Sequence, residues 1–226
     1  MSTYVLIHGD WHGGWCWKKV VPLLRQVGHT VFAPDLPGHG DDKMPLSAIT
    51  PESIMQYIYN ILDTQKEPII LIGHSSGGML ITEAARQRPE RIKTLVYLSA
   101  FLLPPGVTPH AIAQEDHESI LQSSLIIDEG RRVSMVKQEA AREVFYADCS
   151  EEEAAWATSL LIPEPLKGRA QGEVVPQATT AEIDIDWIPR VYKVVICPKS
   201  PKTTRAASFQ ATTSHRRPKT KAGLRP

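Results

Sequence analysis

Four short apolar runs punctuate the first hundred residues: "YVLIHG" (4–9), "TVFA" (30–33), "PIILIG" (68–73) and "IKTLVYLSA" (92–100). Each is continuous rather than alternating in polarity. Each is closed by glycine, proline or a small residue. That is the pattern of a strand buried on both faces. Between the runs the apolar spacing changes to three and four. Val20, Leu23, Leu24 and Val27 share a face of a helix over residues 15–29, with Gly28 as its stop. Ile54, Ile58, Ile61 and Leu62 do the same for a helix with Thr50 as N-cap and Pro51 in its first position. "GGMLITEAARQRP" (77–89) gives a third helix. Strand and helix alternate, which predicts an α/β fold with a doubly wound, mostly parallel sheet.

After "FLLPPG" (101–106) the rhythm changes. Residues 104–186 are richer in charge and read as helices and loops. Placed between sheet strands, they would form a helical cap over the strand carboxyl ends, where ligands bind in such sheets. "IPRVYKVVIC" (188–197) restores a strand, so residues 1–103 and 187–197 read as the core. Residues 198–226 hold only two large apolar side chains, Phe209 and Leu224, and read as a disordered tail.

Composition sharpens this division. With 226 residues and 42% apolar content, the chain can bury one sizeable core. The formal net charge is zero but unevenly spread. Residues 193–226 carry nine Lys or Arg and no Asp or Glu. The basic tail has charge but only one aromatic residue, Phe209, and no amphipathic period, so neither a nucleic-acid nor a membrane partner is expected. Cys16, Cys149 and Cys197 are odd in number and widely spaced, which suits thiols in a reducing compartment. A strand-like run begins at Tyr4, and no apolar stretch approaches the ~18 residues of a membrane span. A cytoplasmic protein with neither signal peptide nor membrane anchor is the expectation.

The chemistry centres on "IILIGHSSGG" (69–78), which fits G-x-S-x-G directly after a strand. That placement sets a serine, here Ser75, on a sharp turn facing the sheet's carboxyl end. His74 beside it should point away from Ser75 and act as a packing residue. His8 and His12 have three residues between them, but no carboxylate or cysteine completes a metal set. A structural role for this pair is expected, with His12 also facing the pocket. Trp11, Trp15 and Trp156 read as core or pocket wall. No metal or cofactor is implied.

"VLIHGDWHGGWCWKKVVPLL", "GHTVFAPDLPGHG", "GHSSGGM" and "VYLSAFLLP", in this order, resemble the α/β-hydrolase fold. More narrowly the chain is similar to the branch of plant methylesterases, hydroxynitrile lyases and small bacterial esterases. The cap segment 145–166 resembles the same branch. The resemblance covers about residues 3–197. It implies Ser75 as the nucleophile of an esterase acting on a small-molecule carboxylic ester. It implies the backbone amides of Asp10 and Ser76 as the oxyanion hole, with Gly9, Trp11 and His12 at the substrate pocket. The lyases carry threonine where this chain has Gly9, which favours the esterases. A non-catalytic binder of small ligands is the other reading.

The resemblance then breaks. In the family the strand matching "RVYKVVIC" leads to a catalytic aspartate and, later, a catalytic histidine. Here no Asp or Glu follows Asp186, and His215 is the one late histidine. His215 is the candidate base, half the expected distance on. The change of composition near Lys193–Lys199 suggests a shifted reading frame or an equivalent truncation of the gene, and an impaired enzyme.

Overall fold

The computed structural model describes residues 1–103, 107–117, 119–166 and 191–194. Five parallel strands form the central sheet in the order β2-β1-β3-β4-β8. They are β1 (Thr3–Ile7), β2 (Thr30–Phe32), β3 (Ile69–Ser75), β4 (Ile92–Ala100) and β8 (Val191–Val194). Three helices make the crossovers: α1 (Val20–Gln26), α2 (Pro51–Asp63) and α3 (Gly77–Gln87).

Successive residues on the strands face opposite layers, which is why the runs are apolar throughout. Val5, Ile7, Leu71, Leu95 and Tyr97 join Met55, Ile58 and Leu62 of α2 and Ile81 of α3 in one core. Leu6 and Val31 join Trp17 on the other face, with Val21, Leu24, Ile72 and Leu98 partly buried against them. The expected cap of α2 is in place. The Thr50 hydroxyl accepts the Ser53 amide at 3.1 Å, and the Ser53 hydroxyl accepts the Thr50 amide at 3.0 Å. Such a reciprocal pair satisfies two amides that the helix ladder leaves open.

Two expectations need correction. The apolar stripe of α1 is only in part the buried one. Leu24 packs on the sheet as expected, but Val20, Leu23 and Val27 are exposed and Val21 packs on the sheet in their place. The helix is only seven residues long, because a 3-10 turn (Gly14–Trp17) takes up the start of the predicted span. The cap, too, is not purely helical. Alongside α4 (Pro109–Glu115), α5 (Ala141–Phe145) and α6 (Glu151–Ser159) it holds an antiparallel sheet. Its strands are β5 (Leu125–Asp128), β6 (Val133–Val136) and β7 (Glu164–Pro165), in sequence order. At two to four residues, they are too short to show an alternating period among charged neighbours.

The last predicted core strand is present as β8, paired in parallel with β4 from Leu95–Val191 to Leu98–Val194. The disordered tail, the shifted frame and His215 lie outside the described residues. No described helix is long and apolar enough to cross a membrane.

Candidate active site

β3 ends at Ser75, whose φ of +53° lies in the left-handed region. A non-glycine residue holds that conformation only where its surroundings enforce it. Here they do. The strand must turn at once into α3, and the two elements touch. A Cβ on Gly73 would meet the Gly77 carbonyl oxygen at 2.6 Å, so the first glycine of the motif is a requirement of close approach. The Phe101 amide donates to the Ser75 carbonyl at 3.0 Å, fastening the turn to the end of β4.

The loop after β1 runs directly over this turn. A Cβ on Gly9 would come within 2.8 Å of the Ser75 Cβ and 3.3 Å of its Oγ. Only a bare backbone fits between loop and nucleophile. The Asp10 amide, next along, donates to the Ser76 hydroxyl at 2.9 Å. Ser76 is the N-cap of α3, so its own amide lies ahead of the helix's hydrogen-bond ladder. The two amides expected to form an oxyanion hole thus sit on adjoining loops. In this state the Asp10 amide is occupied by the Ser76 side chain.

His8 is structural, as expected. Its Nε2 accepts the Leu36 amide at 3.1 Å, so its Nδ1 holds the proton and donates to the Gly9 carbonyl at 2.9 Å. Burial pushes its pKa down to about 3, which keeps the ring neutral. His12 donates from Nδ1 to the Asp10 carbonyl at 2.8 Å, and its Nε2 accepts the Tyr146 hydroxyl at 2.9 Å. Burial lowers its pKa as well. It stacks on Trp15 and meets Phe145 edge-on, which places it at the junction of core and cap. His74 turns its ring edge to Trp17 and is lowered to about 4 by burial. Among the described residues, no histidine hydrogen-bonds the Ser75 hydroxyl. No described group of three His, Cys, Asp or Glu is arranged to hold a metal.

Trp11 is buried, and its indole is bound to the cap. Its indole nitrogen donates to the carbonyl and hydroxyl of Ser134 at 3.2 and 3.3 Å. Its amide donates to Glu164 at 3.1 Å. Glu164 in turn meets His39 Nε2 at 2.8 Å. Burial alone would lower the His39 pKa, but the hydrogen bond and charge of Glu164 outweigh it and raise the value. Asp35 supports the same loops. Its carboxylate accepts the Gly14 amide at 2.6 Å and the Asp41 amide at 2.9 Å.

His39, Glu164, Asp35 and Tyr146 are the site residues that sequence reading missed. "DLPGHG" (35–40) signals a loop but not which side chains turn inward. Glu164 is 125 residues from its partner, beyond the reach of any local pattern.

Comparison with known proteins bears on the family and the fold. The model of the alpha/beta hydrolase family matches residues 4–222. A pyrethroid hydrolase of Sphingobium wenxiniae is 34% identical over 187 residues, spanning 75% of this chain and 67% of that one. A carbendazim hydrolyzing esterase of Nocardioides is 37% identical over 127 residues, and the match spans about half of each chain. Among solved structures, a pyrethroid hydrolase of Sphingobium faniae superposes with a TM-score of 0.68 at 30% identity, covering 84% of this chain and 76% of that one. Plant methylesterases and an alpha-hydroxynitrile lyase of Arabidopsis thaliana are further relatives. The chain belongs to the alpha/beta hydrolase family, within the branch of methylesterases, hydroxynitrile lyases and bacterial esterases.

Proposed function

We propose that this chain is a carboxylic ester hydrolase of the serine acyl-enzyme type, acting on small esters. The observation that carries the reading is Ser75: a left-handed serine at a strand end, with the backbone of Gly9 in contact with its side chain. The Ser75 hydroxyl would attack the ester carbonyl, and the carbonyl oxygen would become an oxyanion. The amides of Asp10 and Ser76 would stabilise that charge, the first by exchanging the Ser76 hydroxyl for the substrate oxygen. One such donor is worth roughly 10²–10³ in rate. Collapse would expel the alcohol and leave an acyl-serine, which water then hydrolyses to the acid. His215 is the candidate to take the serine's proton.

Gly9 also bears on the lyase alternative. A side chain there would collide with Ser75 unless loop or serine shifted. Gly9 also offers no hydroxyl to a substrate, which favours ester hydrolysis over a lyase with threonine at this position.

A second reading has its own support. No described imidazole meets Ser75. Without a base the serine keeps its proton at neutral pH, and triad knockouts elsewhere lose on the order of 10⁶ in rate. The chain would then be an impaired esterase, or a binder of small hydrophobic carboxylates. Hydrolysis of a short-chain nitrophenyl ester separates the readings. The esterase predicts turnover by the parent chain that Ser75→Ala abolishes. Equal rates in both proteins would remove catalysis and leave the binder.

A further inference from the structure

The cap holds the loop above Ser75 in shape, and one residue of that loop is under strain. Trp11 has a φ of +62°. A bulky side chain occupies the left-handed region only when held there, at a cost of about 1–3 kcal/mol. Within the loop, His12 Nδ1 donates to the Asp10 carbonyl at 2.8 Å, and the cap supplies several further holding groups. Glu164 Oε2 accepts the Trp11 amide at 3.1 Å, and the Ile162 amide donates to the Trp11 carbonyl at 3.1 Å. The Ser134 carbonyl and hydroxyl anchor the indole. Ser134 and Glu164 are paired neighbours in the ladder between β6 and β7. A single corner of the cap therefore grips the peptide units on both sides of the Trp11 Cα. Relaxing φ there would swing the Asp10–Trp11 peptide and carry the Asp10 amide with it.

Glu164 is itself held. His39 Nδ1 donates to the Pro37 carbonyl at 3.0 Å, and Nε2 faces the same Oε2 that receives the Trp11 amide. Both ring nitrogens meet oxygen atoms; the hydrogen bond and charge of Glu164 raise the His39 pKa and favour imidazolium against carboxylate, while burial and Asp10 raise that of Glu164. The two side chains are 3% and 14% exposed. A buried pair of this kind stabilises little by itself, while loss of one partner leaves an uncompensated charge. Its geometric consequence is larger. It fixes a carboxylate oxygen at the one point where the Trp11 amide can reach it.

We propose that Glu164, charge-balanced by His39, is a positioning residue for the oxyanion loop: a carboxylate from the cap sets where the Asp10 amide points. The catalytic consequence rests on the esterase reading; the holding of the loop does not. The full chain is therefore measured in two ways, with Glu164→Ala and Glu164→Gln beside the parent. Amide hydrogen exchange is read for peptides covering 9–15 and, as control, 51–63 in α2. Steady-state kcat and KM are read with a nitrophenyl ester. Glu164→Ala is expected to speed exchange over 9–15 with the control unchanged. It is expected to lower kcat by on the order of 10²-fold, with KM within about twofold, as displacement of one oxyanion donor should. Glu164→Gln keeps an oxygen that can accept the Trp11 amide and should restore most of both. Unchanged exchange over 9–15, or an equal rise in both segments, would overturn the proposal. So would a loosened loop with kcat intact. If the parent hydrolyses nothing beyond Ser75→Ala, the esterase reading fails while exchange still decides whether Glu164 holds the loop.

Discussion

Ser75 and Gly9 lie in close contact, and each makes sense only beside the other. The serine's left-handed backbone lifts its side chain off the end of β3, and the loop passes over it with no Cβ in the way. Gly9→Ala tests this directly. Its methyl would lie 2.8 Å from the Ser75 Cβ and 3.2 Å from the His74 carbonyl. The His74 carbonyl is backbone and cannot swing aside. Overpacking of this kind costs about 1–3 kcal/mol. A displacement of ~1 Å at a reacting centre costs about 10²-fold in rate. The variant should show both losses, in urea unfolding and in ester turnover. A variant with parental turnover would mean that the loop does not contact the working serine. Position 9 was legible in the sequence because the H-G run and G-x-S-x-G occur together. The strain at Trp11 was not, because it depends on contacts from residues 134, 162 and 164.

The strands carry their own signature in buried histidines. His8 follows β1 and His74 lies in β3, and burial keeps both neutral, with pKa values of about 3 and about 4. Between the ordinary imidazole value of 6.5 and these values the unfolded chain binds a proton that the folded chain refuses. Stability therefore falls as pH falls through that window, by up to ~1.4 kcal/mol per pH unit for each group. His39 has the opposite sign. Its pKa is raised, so its contribution is fully present below 6.5 and is lost as pH rises through the raised value. The variant His74→Gln should lose less stability than the parent between pH 7 and pH 5, measured by urea midpoints. An identical loss in both proteins would show that His74 titrates normally. The elements themselves were largely legible. β1, β3 and β4 follow continuous apolar runs, and α2 follows its Thr50–Pro51 start. What escaped was the face of α1 and the sheet of the cap. The first is a seven-residue helix whose flanks are set by a 3-10 turn, and the second is built from strands of two to four residues.

Among the described residues, charged and aromatic contacts join core and cap. Lys19 pairs with Glu153 of α6, and Lys18 lies over the Trp156 ring. Tyr146 caps His12, and Glu164 binds Trp11 and His39. Each contact joins the first forty residues to the cap, more than a hundred positions on. The order of the sequence conceals them, yet they hold the loop after β1. The parallel sheet and the turn at Ser75 come from local pattern; the contacts between core and cap come from pairs that only folding brings together. Ser75 is proposed to attack as a nucleophile in this setting. A small alkyl fluorophosphonate reacts with such a serine and leaves a stable adduct. Mass analysis of the digested chain should find one adduct, on the peptide containing Ser75, and none on Ser75→Ala. A parent chain that stays unmodified, or carries the adduct elsewhere, would contradict the claim.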